Sequence, residues 1–285
     1  MGYSYINPTI QTANYSVLFV HNDFLQIALD YGIFSMVAFV GSIMYSIFSK
    51  KTNKTQRIIL ILMFFHMLID FDLQFLVMFL ILILMQDLTI QKKWEITIDS
   101  SIVLYSLIII VLFAYGYLGI ANFANYIGKN NISINMLSNY TLAKVELLKL
   151  ETNFNNGNRI SNEILKNNKY VLMAYEIKFA YEVENGNYEE ACEYKEKLIE
   201  LNRYNPKQYE DYVMVLSKML DEAVRENDDE STEKYMKKII SVLEMIEKNK
   251  KETSLLATKI QDSSEIELNK QTMKYIYEIK EIMNK

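Results

Sequence analysis

SIVLYSLIIIVLFAYGYLGIA, residues 101–121, carries no charged side chain. As a helix it is long enough to cross a bilayer core, which takes about 20 apolar residues. It sits in a chain of 285 residues whose 51% hydrophobic and 23% charged content conceals two solvents, because apolar runs crowd before Ile120 and charges after it. The pattern predicts an all-α fold in which polytopic transmembrane helices precede a soluble helical domain.

Working toward the N-terminus, residues 24–48 (FLQIALDYGIFSMVAFVGSIMYSIF) hold Asp30 as their only charge and predict a first span. The span ends in SKKTNKTQR, whose Lys50, Lys51, Lys54 and Arg57 belong on the cytoplasmic side by the positive-inside bias, so the His21 end faces outward. Residues 1–20 are polar and aromatic with Pro8 and predict an extracytoplasmic loop. They lack the basic region that opens a cleavable signal peptide.

Residues 58–84 are apolar except for His66, Asp70, Asp72 and Gln74. They admit one overlong span, or a hairpin of segments 58–71 and 73–90 that turns at Asp70-Phe71-Asp72. The hairpin is favoured, because a carboxylate at mid-bilayer costs at least about 2.5 kcal/mol and the turn puts both at the interface. It also leaves Lys92 and Lys93 inside, with Trp94 at headgroup level. Residues 21–121 thus form a transmembrane domain of about four membrane segments (24–48, 58–71, 73–90, 101–121). Parity then places the remainder of the chain outside the cytoplasm.

Cys192 is the sole thiol, and His21 and His66 are the only imidazoles. Neither a disulfide framework nor a Cys/His zinc site can be assembled from that set, and no metal or cofactor is expected. The net charge of −5 comes without a polybasic patch, which excludes nucleic acid as a partner.

Residues 132–285 alternate helical runs with breakers at NNGN (155–158), ENGN (184–187) and YNP (204–206). Leu142, Val145, Leu148 and Leu150 recur at helical spacing, as do Tyr188, Ala191, Leu198 and Leu201, and roughly six helices follow, the last from near Leu256. GNYEEACEYKEKLIELNRYNP resembles the second helix and turn of a tetratricopeptide repeat through Gly186, Tyr188, Ala191, Tyr194 and Leu198. Lys195 departs from that pattern, standing where a large apolar residue is usual. The resemblance implies a tetratricopeptide-like helical-repeat domain, which needs about three units to bury a common core. Its many tyrosines, Tyr170, Tyr175, Tyr209 and Tyr212 among them, suit helix packing better than sugar stacking.

The residues with chemistry lie in the membrane half. Asn22, Gln26 and Asp30 are spaced four apart and form one polar stripe on a helix that His21 begins. Polar residues at a helix end ordinarily meet water, but Asp30 lies about two turns deeper, where a carboxylate marks a wet cavity or a functional path. His66 and Asp70 share a helix face, so the carboxylate can orient the ring, and Asp72 is placed to cap the returning helix.

HNDFLQIALDYGIFS, residues 21–35, resembles the signature of the O-antigen ligase and O-antigen polymerase superfamily, which His21, Asn22 and Gly32 fit in spacing and from which Ser35 departs. HMLIDFDL, residues 66–73, resembles the His-x-x-x-Asp-Phe-Asp-Leu turn near the end of the same family's membrane domain. The resemblance implies a metal-independent, inverting glycosyl transfer at the outer face of the membrane, from a polyprenyl-diphosphate-linked glycan to an acceptor hydroxyl. His21 would be the base, with Asn22, Gln26, Asp30, His66, Asp70 and Asp72 binding substrate or supporting the site.

The family's membrane domain is larger, and the arginines that hold the lipid diphosphate lie upstream of its His-Asn motif. The expectation is therefore a C-terminal part of such a protein, with an incomplete site. Membrane lipid is an expected partner, as is a protein bound through the repeat domain. The alternative is a non-catalytic, membrane-anchored tetratricopeptide-like adaptor.

Overall fold

The computed structural model describes residues 3–14, 19–87, 98–253, 255, 257–260 and 266–284. All regular secondary structure among them is helical. The chain divides into two compact units: residues 1–7 with 16–104, and residues 8–15 with 105–285. Lys92, Lys93, Trp94 and Leu256, and the 88–90 end of the expected returning segment, lie outside the described residues.

The expected N-terminal loop contains a short helix, α1 (Tyr3–Ile10), with Pro8 inside it. The 24–48 segment is two helices instead of one: α2 (Asp23–Tyr31) and α3 (Ile33–Phe48). Gly32 breaks them apart with φ +91°, a conformation that costs a residue bearing a Cβ and that glycine adopts freely. Ser35 Oγ donates to the Tyr31 carbonyl across the break at 3.0 Å.

α4 (Lys54–His66) starts in a capping box, where Asn53 Oδ1 accepts the Gln56 amide at 2.9 Å and Gln56 Oε1 accepts the Asn53 amide at 3.2 Å. The chain then reverses through a turn that includes a single 3-10 turn at Asp72–Gln74 and enters α5 (Leu76–Met85). Phe24, Ile43, Ile47, Leu60, Met63, Met67 and Leu82 form the buried core of α2 to α5. The same helices expose large apolar side chains, Phe34 at 88% and Leu84 at 71% among them.

α6 (Ile98–Tyr126) holds residues 102–126, the one helix among the described residues long and apolar enough to cross a membrane, and its apolar window is unburied. α3 and α5 are shorter apolar helices.

In the second unit nine helices follow α6 among the described residues: α7 (Asn130–Met136), α8 (Thr141–Leu150), α9 (Phe154–Asn167), α10 (Leu172–Glu184), α11 (Tyr188–Leu201), α12 (Pro206–Glu226), α13 (Asp229–Glu252), α14 (Ala257–Ile260) and α15 (Lys270–Met283). α7 is tied to the end of α6 by Ser133 Oγ, which donates to the Ala121 carbonyl at 2.6 Å. From α7 to α13 each helix packs on the next, and α13 packs on α15.

More helices form than the roughly six expected from Gly and Pro breakers. The breaks at 137–140, 151–153 and 168–171 contain neither residue type. Asn153 ends one of them by capping α9, its Oδ1 accepting the Asn156 amide at 3.1 Å. The NNGN stretch expected as a break lies inside α9. There Gly157 lets α10 approach, since a Cβ at that position would stand 3.0 Å from Ile177. The ENGN and YNP breaks stand where the sequence puts them, with Pro206 in the first turn of α12.

Ala191, Leu198 and Leu201 are buried as the α11 spacing predicts. Lys195 is buried with them. Its ammonium lies 3.2 Å from Glu176, 3.0 Å from Asp211, 2.8 Å from Gln208 and 4.1 Å from the centroid of the Phe179 ring. An ion-pair cluster thus fills a position that a repeat usually gives to an apolar residue. Of the tyrosines, Tyr175, Tyr204, Tyr209 and Tyr212 are packed into the core. Cys192 is buried against Met219, and burial pushes its thiol up to about 12, far from the thiolate that redox chemistry needs.

Candidate functional site

The two sequence stretches that carry the candidate residues meet in the first unit. α2 begins beside the turn after α4, and the joint is made by two consecutive residues, Asn22 and Asp23. Asn22, extended at φ −172°, caps α2 by accepting the Leu25 amide on Oδ1 at 2.8 Å. Its Nδ2 donates to the Leu68 carbonyl at 2.9 Å. The Asp23 amide donates to the Met67 carbonyl at 2.9 Å, and the Asp23 carboxylate accepts the Leu73 amide at 3.1 Å. These bonds tie the start of α2 to a turn that also closes on itself through the Ile69 and Asp70 amides, both of which donate to the His66 carbonyl.

His21 precedes this joint and stands at the surface. Its Nδ1 is 3.5 Å from Asp70 Oδ1, with the histidine side chain 64% exposed. The Phe71 ring meets the imidazole edge-on, centroid to centroid 5.0 Å. On the other side Gln26, buried, fixes the approach to His21: its Oε1 accepts the Val20 amide at 2.9 Å, and its Nε2 donates to Asp30 at 2.6 Å. Asn22, Gln26 and Asp30 therefore form the expected stripe. Asn22 spends its polar atoms on the backbone, and Gln26 spends its own on the Val20 amide and the Asp30 carboxylate.

The pairing within the turn differs from the one expected. His66 Nδ1 lies 2.7 Å from Asp72 Oδ2, not paired with Asp70 one helical turn away. α4 ends at His66, and although the Asp70 amide still donates to the His66 carbonyl at 3.0 Å, the chain is turning there and the two side chains part. The Asp70 carboxylate is left to accept the Phe71 amide at 2.9 Å and to face His21. Asp72 does not cap α5 either. The residue before α5 is Phe75, which makes no side-chain cap, and the Asp72 side chain is turned to His66 instead. The result is two imidazole–carboxylate pairs, His21–Asp70 and His66–Asp72, on one turn.

Asp23 and Phe71 are the site residues that spacing alone does not single out. An acid in the first turn of a helix has an ordinary explanation in the helix dipole, which hides the tertiary role of Asp23. Among the described residues no group of three His, Cys, Asp or Glu side chains is arranged to hold a metal ion. The arrangement offers an exposed imidazole with a carboxylate oxygen 3.5 Å from its Nδ1. Neither a family model, nor a curated protein, nor a solved structure matches this chain.

Proposed function

We propose that this chain is a membrane glycan ligase or polymerase of the O-antigen type. The observation that carries the reading is the pairing of His21 with Asp70, because it joins the two motif stretches whose resemblance to that superfamily is independent in sequence. In the proposed reaction His21 Nε2 takes the proton of an acceptor hydroxyl while Asp70, 3.5 Å from Nδ1, closes on Nδ1–H to favour the tautomer in which Nε2 is the base. The acceptor oxygen bonds to the anomeric carbon as the bond from that carbon to the diphosphate breaks. The polyprenyl diphosphate leaves, and the anomeric centre inverts.

The membrane setting belongs to the same proposal. α3, the α4–α5 hairpin and α6 enter the bilayer as a multi-pass domain, which would cover the apolar side chains that α3 and α5 expose. The His21 mouth faces the outer surface, and the helical domain after α6 lies outside the cytoplasm, where it binds a partner protein or the glycan in the manner of a tetratricopeptide-like array.

Cells deleted for the gene and restored with the wild-type chain or with His21→Ala test the reading, with chain levels matched by immunoblot and surface glycan as the readout. Restoration by wild type and loss with His21→Ala is the expected result. Equal glycan with either chain would remove the base and leave the anchored adaptor as the better description.

A further inference from the structure

Residues 8–14 belong to the helical unit, although Arg203, a residue that binds them there, is 192 positions away in the chain. Past Ile10 the backbone leaves α1, and the Gln11 carbonyl accepts Arg203 Nη2 at 2.8 Å. Gln11 is buried and Ala13 fully so, while Thr12 between them is exposed. The helical unit thus carries a non-helical piece of its own chain.

Arg203 stands on a braced turn between α11 and α12. Its backbone carbonyl accepts the Tyr209 hydroxyl at 2.7 Å, and that hydroxyl accepts Asn249 Nδ2 of α13 at 2.6 Å. The guanidinium lies over the Tyr204 ring, 5.3 Å from its centroid, and the Tyr204 hydroxyl is bonded to Thr253 at 3.1 Å. Nη1 meets Glu252 at 3.0 Å, an acid that Lys248 also approaches at 4.0 Å.

A guanidinium presents Nε–H and Nη2–H in parallel along one edge, a fork that fits both oxygens of a carboxylate. On that edge Nη2 has the Gln11 carbonyl, whereas Nε is buried and has no hydrogen-bond partner. One carbonyl oxygen serves a fork with two donors, and a buried donor left unsatisfied is costly. A carboxylate would take both donors and add charge to each bond.

We propose that this edge of Arg203 docks a carboxylate of a partner polypeptide, and that residues 8–14 are an internal stand-in which the partner displaces. A polypeptide fits because the present occupant is one: a main chain already lies beside Arg203 with Gln11 and Ala13 turned in and Thr12 turned out. The inference rests on the partner-binding role given to the helical domain and not on glycan transfer at His21, which its test does not measure.

The chain's own segment supplies the probe. A peptide of residues 5–11 is made with a free C-terminal carboxylate or as the amide, so that the acid brings a second oxygen to the place of the Gln11 carbonyl. The full chain in detergent carries a nitroxide at Thr12→Cys, an exposed position, while Cys192 is buried and does not take the label. Each peptide is titrated to millimolar concentration, the mobile fraction of the nitroxide signal reports release of residues 8–14, and circular dichroism confirms that each variant is folded. The acid should release the segment at about tenfold lower concentration than the amide. Arg203→Lys keeps the charge but has no fork, and there the two peptides should act alike.

Equal potency of acid and amide on the wild-type Arg203 background, or release by neither, would overturn the proposal. So would a preference for the acid that persists in Arg203→Lys, which would reduce the site to a point charge. Release by a uronic acid oligosaccharide at the potency of the acid peptide would overturn the assignment to a polypeptide.

Discussion

Asp23 accepts the Leu73 amide from fifty residues earlier in the chain, and this bond, with those from Asn22 to Leu68 and from the Asp23 amide to Met67, joins the start of α2 to the turn after α4. His21 and Asp70 are each within three residues of an end of that bond, so their meeting depends on it. Asp23 is itself almost fully buried, which protects the bond from water.

Asp23→Ala should therefore release the turn. Leaving a buried amide unsatisfied costs about 1–3 kcal/mol, so exchange of the Leu73 amide should accelerate by about tenfold to a hundredfold in Asp23→Ala. Asp23→Asn keeps an acceptor oxygen and should change exchange far less. Hydrogen exchange of the full chain, read residue by residue, checks both, and unchanged exchange in Asp23→Ala would mean that the turn is held elsewhere.

The pairing of the imidazoles is open to double-mutant cycles on thermal unfolding. His66 and Asp72 should couple, as should His21 and Asp70 more weakly, since both members of that pair are substantially exposed. His66 and Asp70 should be additive. Coupling between His66 and Asp70 would restore the helix-face pairing that residue spacing suggests.

Lys195 tests whether the second unit tolerates its buried charge through its partners. Lys195→Met combined with Glu176→Gln and Asp211→Asn removes the ammonium together with the charges that pair with it and should be close to neutral. Glu176→Gln with Asp211→Asn leaves the ammonium buried with neutral partners. That should cost about 3 kcal/mol, the low end for a broken buried pair, because both acids retain some exposure. Thermal midpoints by circular dichroism separate the two; a larger loss in the triple variant than in Glu176→Gln with Asp211→Asn would show that the cluster holds the fold by its charge.

Glu163 gives a pH dependence. The hydrogen bond from Lys144, with Arg159 nearby, holds its carboxyl below the usual range. A carboxyl lowered on folding stabilises the native state above its unfolded value, about 4.3, and that stability is lost as pH falls through the lower folded value. The thermal midpoint of wild type should exceed that of Glu163→Gln at pH 7, and the difference should shrink by pH 3. A difference independent of pH would place the effect of Glu163 in packing.

Residue patterns made the helical class of this chain and the one long apolar helix, α6, legible, because apolar runs follow directly from composition along the chain. Helix ends marked by Gly186 and Pro206 were legible for the same reason, since each residue has a fixed backbone preference. Ends marked by asparagine were not. Asn153 breaks the chain only by capping, and Gly157 sits inside a helix because Ile177 needs the room. At the site, the stripe of Asn22, Gln26 and Asp30 could be read from spacing, whereas the exchange of partners between Asp70 and Asp72 could not, because it depends on α4 ending at His66.

The central claim is that His21 is the base of a glycan transfer. Its most direct test is the initial rate at which membranes carrying the chain move a labelled glycan from polyprenyl diphosphate to acceptor, compared between wild type and His21→Ala at equal chain level. Loss of the base should lower the rate by about a hundredfold to ten-thousandfold. Transfer by His21→Ala at the wild-type rate would contradict the assignment.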